Sequence, residues 1–365
     1  MKKFILSSDA LKKALKKLGL AVNEKVHVQA CRNVLFRVSK AQVVMITTDL
    51  DNVIAYTCPA ESATDEEFEL LLPFKFLHDI VTKYGTEPVT IEHPSDKKAK
   101  ITIGNDLYEA NSLDPLDQFP KLPATPKKPI YTFNADFVKL IGYALLTVAK
   151  EQTRPAMTRV LVDIRKDSPM IASTDAHVLY SHKLTMEVEE ETKIQLSAKT
   201  VKAMEGMSKV EVSWTKDKVC LRDDTVTVWY KRNDEVFPDY RAIIPSYPFN
   251  LELVKADITA AMEKALISNL NSRMVTMFLK KEKGQVLFET NDVDYGRKIK
   301  SKINGSYTGE VEAIAVNAEK MLTVLEQVEA ETIRLHINQP SKAILITAET
   351  DENHLGLIMP LLLDK

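Results

Sequence analysis

Apolar positions along the chain follow two periods, and the alternation between the two recurs. Three stretches place apolar residues at helical spacing behind an Asp or Asn: Ser8-Asp9-Ala10-Leu11 onward, Asn134-Ala135-Asp136-Phe137 onward, and Lys255-Ala256-Asp257-Ile258 onward. A short polar residue ahead of such a run is how a capped amphipathic helix reads in sequence. Leu11, Phe137 and Ile258 lie 126 and 121 residues apart. About forty residues further on, each block switches to strand-like runs around a polar turn. These are Val43–Asp49, Met170–Asp175 and Val286–Asp292, with Asp49, Asp175 and Asp292 spaced by 126 and 117 residues.

A second helix recurs after each turn, led by Leu72-Pro73-Phe74, Leu196-Ser197-Ala198 and Val316-Asn317-Ala318; Pro73, Ser197 and Asn317 are 124 and 120 residues apart. Alternating strands follow: Val89–Glu92 with Lys100–Ile103, Val210–Trp214 with Val219–Leu221 and Val226–Tyr230, and Ile333–Ile337 with Ala343–Thr347. Proline-containing joints close the first block at Pro120–Pro126 and the second at Pro245–Pro248. The pattern predicts an α+β chain of three tandem repeats, 1–127, 128–246 and 247–365. Each repeat should carry two helices packed on antiparallel sheets, with roughly eight strands.

The first helix is the most polarised. At 100° per residue, Lys12, Lys13, Lys16 and Lys17 fall within an arc of about 140°. Leu11, Leu15 and Leu18 gather on the other side with Ala14. One face is made to pack on a sheet and the other is a lysine stripe, either a solvated face or a binding one. The whole chain adds no bias: Lys+Arg 49 against Asp+Glu 51 gives a net charge of −2. Any affinity for a polyanion must come from segregated charge.

With 45% hydrophobic residues over 365 positions the chain can bury several cores. Cys31, Cys58 and Cys220 are distant and odd in number, which argues against a disulfide framework or zinc site. The only apolar run in the opening stretch is Phe4-Ile5-Leu6, too short for a signal peptide. No run approaches the ~20 apolar residues of a membrane span. A soluble cytoplasmic protein is expected, with no cofactor. No Walker loop, G-x-S-x-G, H-E-x-x-H or dinucleotide fingerprint occurs. His177 and His182 have no third metal ligand at a plausible spacing. Asp49, Asp175 and Asp292 occupy equivalent repeat positions, which fits a structural turn better than a two-metal nuclease.

Several motifs, taken with the repeat, carry a family resemblance. Phe237-Pro238-Asp239-Tyr240-Arg241 with Ile243-Ile244-Pro245, Ser173-Thr174-Asp175-Ala176-His177-Val178-Leu179, the ending Leu357-Ile358-Met359-Pro360-Leu361, and Asp114-Pro115 with Phe119-Pro120 stand in order along the chain. They resemble the F-P-D-Y-R segment, the T-D-G-H-R-L turn, the V-V-M-P-M tail and the close of the first domain of the bacterial DNA polymerase III β subunit, the sliding clamp.

The resemblance implies a non-catalytic processivity factor with three domains of the DNA-clamp fold per chain. Two copies would join head to tail in a six-domain ring, sheets outside and helices lining the hole. Lysines from separate helices would then converge on duplex DNA. Lys12, Lys13, Lys16 and Lys17 are candidates, as is Lys25, which aligns with a DNA-facing arginine of the family. Lys139, Lys150, Lys199, Lys202, Lys264 and Lys320 are expected on the other inner helices. Phosphate contacts carry no sequence information and permit sliding. The family also implies a groove between domains two and three for short hydrophobic peptides of the polymerase, the clamp loader and repair proteins. Carried over, it comprises Arg154, Met157, Thr174, Ala176, His177, Leu179, Pro238, Ile243, Asn317, Leu357, Met359 and Pro360. Without the family, Leu179, Ile243 and Met359 would be read as core.

Departures are specific. Ala176 and Val178 replace the family's glycine and arginine, Ala156 and Lys320 two tyrosines, and Ser272 an aromatic residue; Gln29–Arg32 departs from an apolar pattern, and Asp364 and Lys365 extend the tail. The family pairs a basic edge of domain one with an acidic segment of domain three. Here that segment, Arg297-Lys298-Ile299-Lys300-Ser301-Lys302, is basic. The facing strand, expected over Ile101–Ala110, carries Asp106, Tyr108 and Glu109, with Leu266 and Ile267 packing beside the contact. A partly reversed polarity, disfavouring mixed rings, is the expectation. The remaining alternatives are a clamp-like interaction scaffold that does not encircle DNA, and a metal-dependent nuclease.

Overall fold

The computed structural model describes residues 2–25, 27–151, 153–233, 235–248, 250–268, 272–280, 284–292 and 296–363. The tail extension expected at Asp364 and Lys365 lies outside them.

The first third of the chain builds β1 (Lys2–Leu6), α1 (Ser8–Leu18), β2 (Asn33–Val38), β3 (Gln42–Thr48), β4 (Asn52–Pro59), β5 (Ser62–Ala63), β6 (Phe68–Pro73), α2 (Phe74–Val81), β7 (Val89–Ser95), β8 (Lys98–Ile103) and β9 (Asp106–Ala110). The middle third builds β10 (Tyr131–Asn134), α3 (Ala135–Leu145), β11 (Arg159–Ile164), β12 (Met170–Thr174), β13 (Val178–Lys183), β14 (Thr192–Ser197), α4 (Ala198–Met204), β15 (Lys209–Trp214), β16 (Lys218–Arg222) and β17 (Val226–Lys231). The last builds β18 (Leu251–Val254), α5 (Lys255–Ser268), β19 (Met274–Lys280), β20 (Gln285–Asp292), β21 (Arg297–Tyr307), β22 (Ala313–Asn317), α6 (Ala318–Glu326), β23 (Thr332–His336), β24 (Ile344–Ala348) and β25 (Asp351–Ile358). Among the described residues the six α-helices fall where the apolar spacing puts them. Ile101–Ala110, expected as one strand, is instead a hairpin. The chain reverses at Gly104, whose φ of +57° is open to glycine without a Cβ penalty, and β8 and β9 pair across it.

All strand pairs are antiparallel, and each third repeats one plan. Its first strand and last three form one four-strand set: β1-β7-β8-β9, β10-β15-β16-β17 and β18-β23-β24-β25. Its second to fifth strands form the other: β6-β2-β3-β4, β14-β11-β12-β13 and β22-β19-β20-β21, with the two-residue β5 an extra beside β1. By contacts the chain falls into two compact units, Met1–Val138 with Lys199–Arg232, and Lys139–Ala198 with Asn233–Lys365. The middle third thus gives one set to each unit.

In the first unit β17 pairs with β4, Val226 opposite Tyr56 through Tyr230 opposite Asn52, so that two sets fuse into an eight-stranded sheet. In the second unit β13 pairs with β25, Val178 opposite Ile358 through His182 opposite His354. There β21 also reaches β18 through Gly305–Tyr307, and a twelve-stranded sheet results. In both junctions the last strand of a β2-type set meets the last strand of the following third. Among the described residues β5, β6, β10, β14 and β22 are terminal strands of their sheets, and the two last strands left without a junction are β9 and β21. β9 pairs only with β8, and β21 from Arg297 to Asn304 pairs only with β20.

Helix α1 is capped by Ser7, whose Oγ accepts from the Ala10 amide at 3.1 Å, and it buries Leu11, Ala14, Leu15 and Leu18. In the second unit α5 and α6 bury Ile258, Met262, Met321, Val324 and Leu325 against the sheet. Each such side chain contributes roughly 1.5–3 kcal/mol by leaving water. Cys31, Cys58 and Cys220 are all buried and unpaired. No helix among the described residues is long and apolar enough to cross a membrane.

The β13·β25 junction buries a polar group without a partner. His354 is 3% exposed and its ring lies 5.3 Å from that of Tyr180. Neither ring nitrogen has a hydrogen-bond partner. Burial is the main cause that pushes His354 from its ordinary 6.5 down to about 4, Asp351 opposing and His182 adding. Between these values the unfolded chain binds a proton that the folded chain refuses. Stability is therefore full above the ordinary value and falls as the pH drops through the window. From pH 7 to pH 5 this histidine should withdraw about 2 kcal/mol. Urea unfolding of His354→Leu should show a pH slope shallower by that amount; a slope equal to the unmodified chain's would assign the acid sensitivity to other groups.

Candidate functional site

The polar turns expected at Asp49 and Asp175 are built alike. Thr48 Oγ1 donates to the Asn52 carbonyl at 2.8 Å and accepts the Leu50 amide at 3.0 Å. Thr174 Oγ1 donates to the Val178 carbonyl at 2.6 Å and accepts the Ala176 amide at 3.1 Å. Asp49 Oδ1 accepts the Asn52 amide at 2.8 Å; Asp175 Oδ1 accepts those of His177 and Val178 at 2.9 and 3.0 Å. The residue after each Asp is left-handed, Leu50 at φ +78° and Ala176 at φ +76°. The carboxylates are thus turn-formers. Each also holds a lysine from the second helix of the next third: Lys199 of α4 on Asp49 at 3.0 Å, and Lys320 of α6 on Asp175.

Beside the second turn opens a cleft of about 680 Å³ in the second unit, between the segment after α3, the β12–β13 turn and the start of α6. Of the groove residues carried over by resemblance, Arg154, Met157, Ala176, His177 and Asn317 line it. Thr174 is buried in the turn, and Leu179 and Leu357 lie in a small core behind it with Ala156, Phe237 and Tyr240. Pro238, Ile243 and Met359 are exposed and Pro360 half-buried, none of them lining the cleft. The tail is tied to the turn all the same, because the Met359 amide donates to the His177 carbonyl at 2.8 Å. Core and groove readings of these residues therefore divide: Leu179 is core, while Ile243 and Met359 reach solvent.

The Phe-Pro-Asp-Tyr-Arg segment forms the support of this region. Asp163 of β11 is fully buried. It accepts from Tyr240 Oη at 3.0 Å and Arg165 Nε at 3.1 Å, with Arg241 Nη2 at 3.4 Å. Arg241 also donates to the Ser168 carbonyl at 2.6 Å. Burial, then the charge of Asp163, pushes the Tyr240 phenol well above its ordinary range and keeps it a donor. A buried carboxylate persists only when so satisfied.

The cleft is more charged than an apolar peptide groove. Lys150, Arg154, Arg273 and Lys320 face Glu151, Asp175 and Glu319 across it, and Arg273 holds Glu319 as Lys320 holds Asp175. Two lysines expected on inner helices belong here instead. Lys150 follows the end of α3 at Leu145, and Lys320, though on α6, turns to Asp175.

The remaining lysines differ in freedom. Lys13, Lys16, Lys25, Lys202 and Lys264 are exposed. Lys12 Nζ donates to the carbonyls of Tyr84 and Gly85 at 2.6 and 2.7 Å. Lys17 Nζ caps the end of α4 through the carbonyls of Ala203, at 2.8 Å, Lys202 and Glu205. Burial lowers its pKa. Lys139 is paired with Glu329, which also accepts Tyr143 Oη. The apolar spacing of α1 exposed the stripe; it did not reveal that its two flanks are anchored.

At the open edges, Asp106 accepts Tyr84 Oη at 2.6 Å, Tyr84 meets Tyr108, and Glu109 pairs with Lys100 at 3.2 Å. On β21, Lys298 and Lys300 both hold Glu289 of β20, the latter at 3.1 Å, and lower its pKa. Arg297 is exposed. Leu107 is 56% exposed on β9 and Ile267 71% on α5, while Leu266 packs on the core. Among the described residues no group of three or more His, Cys, Asp or Glu is gathered for a metal.

This triple plan of paired four-strand sets and two helices is the fold of the DNA sliding clamps. The crystal structure of the DNA polymerase sliding clamp of Bacillus subtilis matches with a TM-score of 0.87 at 20% identity, over 100% of both chains. The beta sliding clamp of C. crescentus matches at 0.89 and 20%, over 99% of each. In sequence, the beta sliding clamp of Bacillus subtilis is 22% identical over 98% of this chain and 99% of its own length, and that of Chlamydia pneumoniae 24% over 98% of each. Family models for the DNA polymerase III beta subunit match residues 2–123 (N-terminal domain) and 242–362 (C-terminal domain). The chain belongs to the DNA polymerase III beta subunit family and so to the DNA polymerase processivity factors.

Ala176 holds a backbone conformation in which a Cβ is strained, at the position where the resemblance expects glycine. Relief of roughly 1–2 kcal/mol of strain outweighs the glycine's greater loss of chain freedom, about 0.5–1 kcal/mol. Ala176→Gly should therefore stabilise the second unit by about 0.5–1 kcal/mol, read as a higher denaturation midpoint; a lower midpoint would mean the strain is absent.

Proposed function

We propose that two copies of this chain close head to tail into a ring around duplex DNA, each contributing the domains 1–127, 128–246 and 247–365. The ring slides without base recognition, catalyses nothing itself, and tethers a DNA polymerase, its clamp loader and repair proteins through short hydrophobic peptides taken up beside the β12–β13 turn.

The observation that carries the reading is the junction rule. β4 takes β17 and β13 takes β25, each time the last strand of one set pairing with the last strand of the next third. By the same rule β21 requires a β9, and within this chain both present open edges. An open edge is a template for another chain, and a heterologous pairing that closes makes a ring. The matching edges carry Asp106, Tyr108 and Glu109 on one side and Arg297, Lys298 and Lys300 on the other, with Leu107, Leu266 and Ile267 nearby. The DNA-facing set is Lys13, Lys16, Lys25 and Lys202, which are exposed, with Lys12, Lys17, Lys139 and Lys199 adding charge from anchored positions. The peptide groove combines the cleft residues Arg154, Met157, Ala176, His177 and Asn317 with the neighbouring Thr174, Leu179, Pro238, Ile243, Leu357, Met359 and Pro360.

Loaded onto nicked circular DNA, the protein should remain through a wash at high salt and leave within minutes once the circle is linearised. Equal retention on both forms fits an interaction scaffold that does not encircle DNA. Reversing Lys298 and Lys300 to Glu places like charges opposite Asp106 and Glu109 and should weaken the dimer by about a hundredfold. Sedimentation of the double variant as an intact dimer at micromolar concentration would exclude β21 as the pairing edge.

A further inference from the structure

We infer that the cleft selects peptides that carry carboxylates beside their apolar anchors, with Lys150 and Arg154 as the selectivity residues and Lys320 disfavouring wholly apolar ones. The inference deepens the groove reading above and rests on it. Four cations and three carboxylates line the cleft. Two of those carboxylates are engaged within the chain: Asp175 by Lys320 and by the amides of its own turn, Glu319 by Arg273. Among the described residues Lys150 and Arg154 face the cleft with no carboxylate in ion-pair distance, leaving Glu151 as the only uncommitted acid in the lining. An entering peptide thus meets positive charge first.

The two ion pairs make the selection sharper than the net charge suggests. A wholly apolar peptide covering Lys320 and Asp175 strips water from both charges and offers nothing in return. A peptide carboxylate supplies new partners. Arg154 presents a planar fork suited to bidentate recognition, and Lys150 and Lys320 are point charges within the same lining. A basic peptide is repelled outright. The resemblance places a tyrosine at Lys320, where an aromatic wall would reward apolar contact. Here that wall is replaced by an ammonium group held across the cleft.

The test uses the full-length protein and three fluorescent decapeptides with identical Leu and Phe anchors. They differ at two flanking positions, which are both Asp, both Asn or both Lys. Anisotropy titration at 50 mM salt should rank Asp above Asn by at least tenfold and Asn above Lys, the gaps shrinking by 300 mM salt. Lys150→Ala with Arg154→Ala should bring the Asp and Asn peptides within threefold of each other. Lys320→Tyr should tighten the Asn peptide and narrow the gap without lowering the denaturation midpoint. Equal affinity for all three peptides overturns the selectivity and leaves the groove standing; binding of none overturns both.

Discussion

An unpaired β-strand edge is the constraint from which the rest of this molecule follows. Backbone N–H and C=O groups along an edge are held in register and cannot turn to each other, so an edge is either paired, shielded or open to a second chain. Each third of the chain makes two sets of four strands and so creates edges faster than a single domain can hide them. The chain resolves four of them internally in two junctions, β4 with β17 and β13 with β25. The compact units consequently cut across the repeats, the middle third lending one set to each. A repeat protein is usually cut at its repeats. Here continuous strand pairing runs across two of the boundaries between them.

The junctions also decide where partner chemistry can sit. Pairing β13 with β25 sets the β12–β13 turn against the start of α6, and that turn is shaped by Thr174 and Asp175 through their own backbone bonds. The same turn at Asp49 meets the start of α4. What separates the two is the support behind them: buried Asp163, held by Tyr240, Arg165 and Arg241, fixes the segment that closes the back of the second turn. The segment's characteristic residues are therefore explained by structure before function. Phe237 and Tyr240 fill a small core in T-shaped contact at 6.2 Å, and the arginine completes the hydrogen bonding of a buried charge.

Much of this was legible in the residues, and the parts that were not share a physical cause. Helix positions and the triple plan were read from apolar spacing, since packing against a sheet imposes period and side on α1 as it does on α5 and α6. The hairpin at Gly104 was missed because Ile101–Ala110 keeps a strand-like composition across its turn; Gly104-Asn105 was the available signal. The expectation of Lys150 and Lys320 on inner helices rests on the ring that the resemblance implies and on their charge. Lys320 is drawn to Asp175, 145 positions away in sequence, and Lys150 stands in the lining of the same cleft after the end of α3. Nor could spacing separate Lys13 and Lys16, which are free, from Lys12 and Lys17, which bond to carbonyls of α4 and of the segment after α2. Ala176 was noted as a departure, but only the backbone shows that it sits where glycine is favoured.

The anchoring of those lysines bears on how a processivity factor can hold DNA without gripping it. A lysine at a helix C-terminus stabilises the helix through its free carbonyls and dipole, and Lys17 does so for α4. Lys139 and Lys199 are neutralised by Glu329 and Asp49. Charge tied in this way still contributes to the field over a surface, yet it makes no short contact with a phosphate unless its present bonds break. Among the described residues Lys13, Lys16, Lys25 and Lys202, exposed and outside those bonds, can do that freely. Each phosphate contact adds counterion release and so affinity, and strong affinity would slow the movement that processive synthesis demands. A closed ring removes the conflict, because topology supplies the retention. Residual attraction then has only to centre the duplex, and under the proposed ring a chain with a net charge of −2, in which four of the eight lysines proposed to face DNA are already bonded within the chain, suits that task better than a strongly basic one.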